Sequence, residues 1–154
     1  MIRLTNIFAV TVLMLLPFTE WHLVSADFYK GIHVTIHNRL GGNRAVDLHC
    51  KADDRHSNEG DLGQQTIPDN EDFSWKFIRL IRDKYPLYYC DMSWERMPNQ
   101  RVIATAVHIY EFHRDDPLCG KWCARTVKPD GIYARDLEHQ KDVKIYQWSI
   151  PMVV

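Results

Sequence analysis

The sequence predicts an all-β fold, an antiparallel β-sandwich of about seven to nine short strands with two disulfides and little helix. Three observations lead there. Apolar and polar residues alternate with period two through most of the chain, as they do in half-buried strands. Turn-forming clusters interrupt the alternation about every ten residues. Four cysteines follow an apolar N-terminal leader, and an even cysteine count in an exported chain implies a disulfide framework.

The leader has the three parts of a secretory signal. Arg3 supplies a positive charge, Ile7 to Phe18 is apolar apart from Thr11, and Val24-Ser25-Ala26 offers small or branched residues before the cut. Pro17, Glu20 and His22 make the run too short and too interrupted to span a bilayer. Residues 1–26 are therefore expected to be removed, leaving 27–154 as a single secreted, extracellular domain with no membrane insertion after cleavage. Arg3 and Glu20 cancel, so the net charge of −1 survives processing. A chain this close to neutral has no global attraction to nucleic acid or anionic membrane.

The elements follow in order. Ile32, Val34 and Ile36 alternate with His33, Thr35 and His37. Val46, Leu48 and Cys50 alternate with Asp47 and His49 after a turn-rich stretch, Asn38 to Asn43, whose Gly41-Gly42 predicts a hairpin joining the two strands. That hairpin would set His33 opposite or diagonal to His49. Phe73, Trp75 and Phe77 form a third alternating set, and Tyr88, Cys90, Met92 and Trp94 a fourth, opened by Pro86. Val102 to Phe112 is a long β-rich run with Val107 and Ile109 pointing inward. A closing hairpin runs from Trp122 to Lys128, turns at Pro129-Asp130-Gly131 and continues through Ile132-Tyr133. Val143, Ile145 and Gln147 belong to a last strand ending near Trp148. Lys51 to Asp61, Glu95 to Gln100 and Arg114 to Leu118 are expected as loops. Helix amounts to a turn or two, with Leu80 to Lys84 suited to either state.

Signatures of catalysis are missing. The sequence holds no G-x-S-x-G, H-E-x-x-H, P-loop or dinucleotide fingerprint, and no catalytic residue, cofactor or metal ligand is assigned. Cys119 and Cys123 have roughly the spacing of half a zinc site, but a second pair is missing and export favours oxidation. Asp53-Asp54 and Asp115-Asp116 are adjacent carboxylates; sequence neighbours point apart, so both are expected in solvated turns rather than as an acid–base pair. His33, His37 and His49 with Asp47 come nearest to a metal set, and an exposed polar face is the expectation for them. Phe73, Trp75 and Phe77, interleaved with charge, would stack on sugar if exposed; sharing one strand face, they are expected in the core. No N-x-S/T sequon occurs.

Taken in order, the motifs resemble a known family. His49-Cys50-Lys51-Ala52-Asp53-Asp54, a gap, then Asp61-Leu62-Gly63 is similar to the "HCKSKDDDLG" region of the plant self-incompatibility S-protein homologues. Phe73-Ser74-Trp75-Lys76-Phe77 resembles their "fsfsF" strand, and Tyr88-Tyr89-Cys90-Asp91-Met92-Ser93-Trp94 their "FFCsfsW". Val107-His108-Ile109-Tyr110 followed by Arg114-Asp115 resembles "fdvY…RD", and Asp130-Gly131-Ile132-Tyr133 the "dGiY" turn. Each piece alone is weak, and the ordered set is specific. Two departures stand out: an insert, Arg55 to Gly60, and the position of Trp122 between the last two cysteines, where relatives place a Trp just after them.

The resemblance implies a secreted β-sandwich with two disulfides and no catalytic residues, acting as a signalling or recognition ligand for a cell-surface receptor protein. Rejection of self pollen is the role of the founding members. The alternative is an extracellular carbohydrate-binding or defence module. Contacts with a partner are expected from two polar loops, through Asp53, Asp54, Arg55, His56, Asn58 and Glu59 in the first and Glu95 and Arg96 in the second. Cys50 and Cys90 are each expected to bridge to one of Cys119 and Cys123, because a loop of roughly 70 residues closed by Cys50 would be worth about 4 kcal/mol in the chain-entropy model. The rival pairing is Cys50–Cys90 with Cys119–Cys123. N-terminal sequencing of protein secreted from plant cells is expected to read Asp27 first; intact Met1 in the secreted pool would contradict the leader.

Overall fold

Inward-facing apolar residues on nine strands supply the core, and the computed structural model describes them over residues 29–53, 60–80 and 86–149. The strands are β1 (Tyr29–Asn38), β2 (Val46–Ala52), β3 (Asp61–Ile67), β4 (Asp72–Leu80), β5 (Leu87–Met97), β6 (Gln100–Glu111), β7 (Trp122–Lys128), β8 (Gly131–Asp136) and β9 (Lys141–Tyr146). One helix, α1 (Phe112–Cys119), lies between β6 and β7. A five-stranded sheet in the order β4-β1-β7-β8-β9 packs on a four-stranded sheet in the order β3-β2-β5-β6. Between them lie Ile32, Val34 and Ile36 from β1, Val46, Leu48 and Cys50 from β2, Cys90, Met92 and Trp94 from β5, and Val107 and Ile109 from β6, all buried. The predicted leader and the segments 54–59 and 81–85, which include most of the ambiguous stretch after Leu80, lie outside the described residues.

The predicted hairpin between β1 and β2 does not form. The two strands sit in opposite sheets, and residues 39–45 arch from one to the other. Buried Asn38 ties down the arch. Its amide Nδ2 donates to the carbonyls of Arg44 (2.8 Å) and Ile67 (2.9 Å), and its Oδ1 accepts from Leu40 N–H (3.0 Å). Two strands with one apolar face each suit a hairpin or an arch equally well; buried Leu40 and the Asn38 bonds select the arch. His33 and His49 are consequently in different sheets. β1 instead pairs antiparallel with β4 and parallel with β7, so the sandwich is antiparallel apart from one strand pair.

Other corrections are local. β5 continues to Met97 and turns at 98–99, with Asn99 at φ 66°, so Glu95 and Arg96 are strand residues. β9 stops at Tyr146, one residue before Gln147. Arg114 to Leu118 lies in α1 despite Pro117 inside the helix. Proline removes one helical hydrogen bond, and the helix compensates at both ends. Asp115 Oδ2 accepts the N–H of Glu111 at 2.8 Å, and Gly120, at φ 59°, donates back to the carbonyls of Asp115 and Asp116.

The disulfides take the rival pairing: Cys50–Cys90 and Cys119–Cys123. Loop-closure entropy stabilises only a bridge whose sulfurs the fold brings together. Antiparallel pairing of β2 with β5 sets Cys50 directly opposite Cys90, and the end of α1 sets Cys119 beside the start of β7. The first bridge spans 40 residues and the second 4, for which the chain-entropy model gives about 4 and about 2 kcal/mol. Replacing Cys50 and Cys90 together by Ala is therefore expected to cost about 2 kcal/mol more than the same change at Cys119 and Cys123. Urea unfolding midpoints of the two double variants check the order.

Candidate functional site

Strand direction sorts the connections into two groups. One end of the sandwich gathers residues 39–45, 68–71, 98–99 and 129–130. The other gathers Asp53, Gly60, Pro86, the α1 segment and 137–140. The predicted contact residues divide between these ends. Asp53 lies beside the start of β5, its N–H donating to Leu87 O at 2.9 Å, whereas Glu95 and Arg96 sit near the far end of the same strand. Eight residues of extended chain separate Leu87 from Glu95, about 26 Å, so Asp53 and Glu95 share no patch. Asp54, Arg55, His56, Asn58 and Glu59 lie outside the described residues.

The end that carries Glu95 is locked by its own polar groups. Glu95 Oε1 accepts the N–H of Asn99 at 3.2 Å, bracing the turn. Arg101, paired with Glu95 in register, reaches Asp47 and the Ser93 hydroxyl. The Asp69 carboxylate accepts the N–H groups of Gly41 (3.0 Å) and Asn43 (2.9 Å). Arg44 lays its guanidinium over Trp94, 5.3 Å from the ring centre, while Nε donates to Gly41 O at 2.7 Å. Loops held this way lose little freedom on meeting a partner.

The strongest electrostatic arrangement is buried. Asp115, expected in a solvated turn, is fully buried, and so is Arg125. Their side chains meet at 2.7 Å. Arg125 Nε also donates to Ile109 O (2.7 Å) and NH1 to Ala124 O (3.0 Å), while Arg114 grips both oxygens of Asp115 at 2.8 Å. Burial pulls Arg125 below the ordinary guanidinium value, and Asp115 opposes it. Burial, followed by the charge of Asp115, pushes the neighbouring Tyr110 hydroxyl up to about 12. The signal was present in the sequence: period two places Arg125 between Cys123 and Val127 on the inward face, where a cation needs a counter-ion.

Surface carboxylates serve turns and strand ends. The Gly63 N–H (2.9 Å), then His49 (2.6 Å), hold Asp61 below its usual value. Lys144 does the same for Asp130, and the His139 N–H for Asp136. Depressed carboxylates stabilise above about pH 4 and lose that contribution as pH falls through the folded value. Among the described residues no three His, Cys, Asp or Glu side chains are grouped to hold a metal, and no helix is long and apolar enough to cross a membrane. Phe73, Trp75 and Phe77 pack against the core, with Phe77 reaching Tyr88 and Tyr110 at 4.8 and 5.1 Å between ring centres.

The described residues thus form a β-sandwich with two disulfides and a buried Arg125–Asp115 ion pair. Residues 33–148 match the family described as plant self-incompatibility protein S1, and the chain belongs to that family. Self-incompatibility protein S1 of Papaver rhoeas is 31% identical over 139 residues, covering 88% of this chain and 87% of that protein. S-protein homolog 2 of Arabidopsis thaliana is 35% identical over 120 residues, 75% of this chain and 67% of that one. A solved structure of an SPH (self-incompatibility protein homologue) protein, from a family described as small, highly stable and secreted by plants, aligns with TM-score 0.45 at 22% identity over 77% of this chain and 95% of its own.

Arg125→Met would leave Asp115 a buried carboxylate held by Arg114 and the Glu111 N–H, without its buried cation. The expected loss is about 3–5 kcal/mol, much of it recovered when Asp115→Leu is added. Chemical denaturation of the single and double variants checks this.

Proposed function

We propose that this chain is a secreted plant recognition protein, a non-enzymatic ligand for a cell-surface receptor protein, which presents its connecting loops from a rigid sandwich. The observation that carries this reading is the way the connections at the Asn38 end are held. Asp69, Asn38, Arg44 and Glu95 each bond to loop or turn backbone, so polar side chains at the strand ends maintain shape. Pre-organised loops on a braced frame suit selective binding, because sequence changes at their exposed positions disturb few core contacts. Family membership supports the same class, and the name of the Papaver rhoeas relative supports the finer reading, rejection of self pollen. The alternative of a carbohydrate-binding or defence module drew on the strip Phe73, Trp75 and Phe77, whose rings turn toward the core.

The loop after Asp53 is the proposed contact, tethered at its start by the Cys50 strand. Replacing residues 55–59 by Gly and Ser is expected to leave secretion unchanged and thermal stability within about 0.5 kcal/mol. Binding of the labelled protein to plasma-membrane fractions of pollen and stigma is expected to be saturable, protease-sensitive and at least tenfold weaker for the variant. Undiminished binding by the folded variant would place recognition elsewhere. Binding that is neither saturable nor protease-sensitive would overturn the receptor reading.

A further inference from the structure

Trp122 opens β7 on the outer face of the five-stranded sheet, 62% exposed. One side of its indole rests on the His33 imidazole, ring centres 4.1 Å apart and planes 21° from parallel. A ring this exposed contributes little to the core, yet it is held flat by a second ring beneath it.

Strand register builds its surroundings. His33 pairs with Lys76 on one side and with Trp122 on the other, so the three form a row across β4, β1 and β7. The next row is Ser74, Thr35 and Ala124, where the Ser74 and Thr35 hydroxyls bond at 2.9 Å. On the other side Gly31 lies opposite Ile78. Its lack of a side chain leaves room for the Lys76 stem, whose Cε would sit 3.2 Å from a Cβ built there. Lys121 precedes Trp122 and accepts the His33 N–H on its carbonyl at 2.8 Å.

The charges on this face are uneven. Its carboxylates among the described residues are engaged, Asp72 with His37 and Arg39, and Asp142 with Lys128 and Arg135. Lys76 and Lys121 are exposed and make no ion pair among the described residues. The row thus joins a flat aromatic ring and the Lys76 ammonium on an open sheet surface, with hydroxyls in the next row and exposed Lys121 in the turn that leads into β7. An aromatic face binds the C–H face of a sugar ring by excluding water between them, and the ammonium groups attract carboxylates. Lys76 and Trp122 stand two strand spacings apart, about 10 Å, which suits an extended polymer better than a single small anion.

We propose that the row Trp122, His33 and Lys76, with Lys121 beside it, is a binding platform for an acidic polysaccharide. A sugar of a polyuronate chain stacks on Trp122 while neighbouring carboxylates meet Lys76 and Lys121. The proposal does not draw on the receptor contact proposed at residues 55–59.

Biolayer interferometry on immobilised polygalacturonate, its methyl-esterified form and a neutral glucan tests the proposal, with light scattering run alongside. The full secreted protein is expected to bind polygalacturonate most tightly, with affinity falling as salt is raised. Trp122→Ala is expected to lower affinity at least tenfold for both galacturonate polymers. Lys76→Gln with Lys121→Gln is expected to lower it about fivefold for the unesterified polymer only. Trp122→Phe, which keeps a smaller ring on His33, is expected to fall between wild type and Trp122→Ala and guards against a folding defect. The variant replaced at residues 55–59 is expected to bind the polymer as wild type does, which separates this proposal from the receptor reading. Equal binding to the neutral glucan, or undiminished binding by Trp122→Ala, would overturn it. So would a concentration-dependent dimer that Trp122→Ala abolishes without changing polymer binding, which would make the face a contact between copies.

Discussion

A buried guanidinium must be neutralised where it stands, and in this protein that requirement organises half the sandwich. Arg125 lies on the inward face of β7 with no exposure, and its partners come from three elements. The carbonyl of Ile109 comes from β6, that of Ala124 from β7 itself, and the carboxylate of Asp115 from α1. Meeting all of them fixes how β6 ends, where the helix sits and at what height β7 enters the sheet. Arg114 adds a second cation to Asp115 and bonds the same Ile109 carbonyl at 3.2 Å. Such a network adds less net stability than an apolar replacement of the same volume often would. Its contribution is to make one arrangement of these elements far better than its neighbours.

The helix is a product of that requirement. Its sequence, FHRDDPLC, is poor in strong helix formers, and Pro117 removes a backbone bond. Local propensity reads it as loop for sound reasons. Asp115 nevertheless turns inward to Arg125 while also accepting the Glu111 N–H, and Cys119 is bridged four residues on to Cys123. Tertiary contacts fold a segment that would not be helical alone.

This explains which parts of the molecule were legible in sequence. Period two identified the strands and most of their inward faces, because alternation follows directly from a strand with one buried side: Cys90, Met92 and Trp94, or Val107 and Ile109, are buried as expected. Partnerships between strands were not legible. β1 carries the same pattern whether it pairs with β2 or crosses to the other sheet, and the choice rests on Asn38 and Leu40. The disulfide pairing failed for the same reason, since entropy ranks loops without knowing that Cys50 and Cys90 face each other across β2 and β5. Polarity and loop position, the properties that mark the candidate contact residues, do not reveal that Asp53 and Glu95 occupy opposite ends. Trp122 could be noticed as out of place, but its exposure depends on the parallel β1–β7 register that sets it on His33.

Frame and surface are therefore coupled to different degrees at different places. The connections at the two ends can change at their exposed positions while Asn38, Asp69 and the strand registers stay as they are. Trp122 has no such independence. It stands three residues before Arg125 on the same strand, one residue before a bridged cysteine, and its backing ring is reached only through the β1–β7 register. Whatever holds Arg125 to Asp115 and Ile109 also holds the indole on the sheet face. A binding surface built into the lock of the fold cannot drift freely without disturbing the lock. It suits a constant task such as retention on an extracellular polymer, while exposed positions in the connections at the Asn38 end can change without touching Arg125 or Asp115.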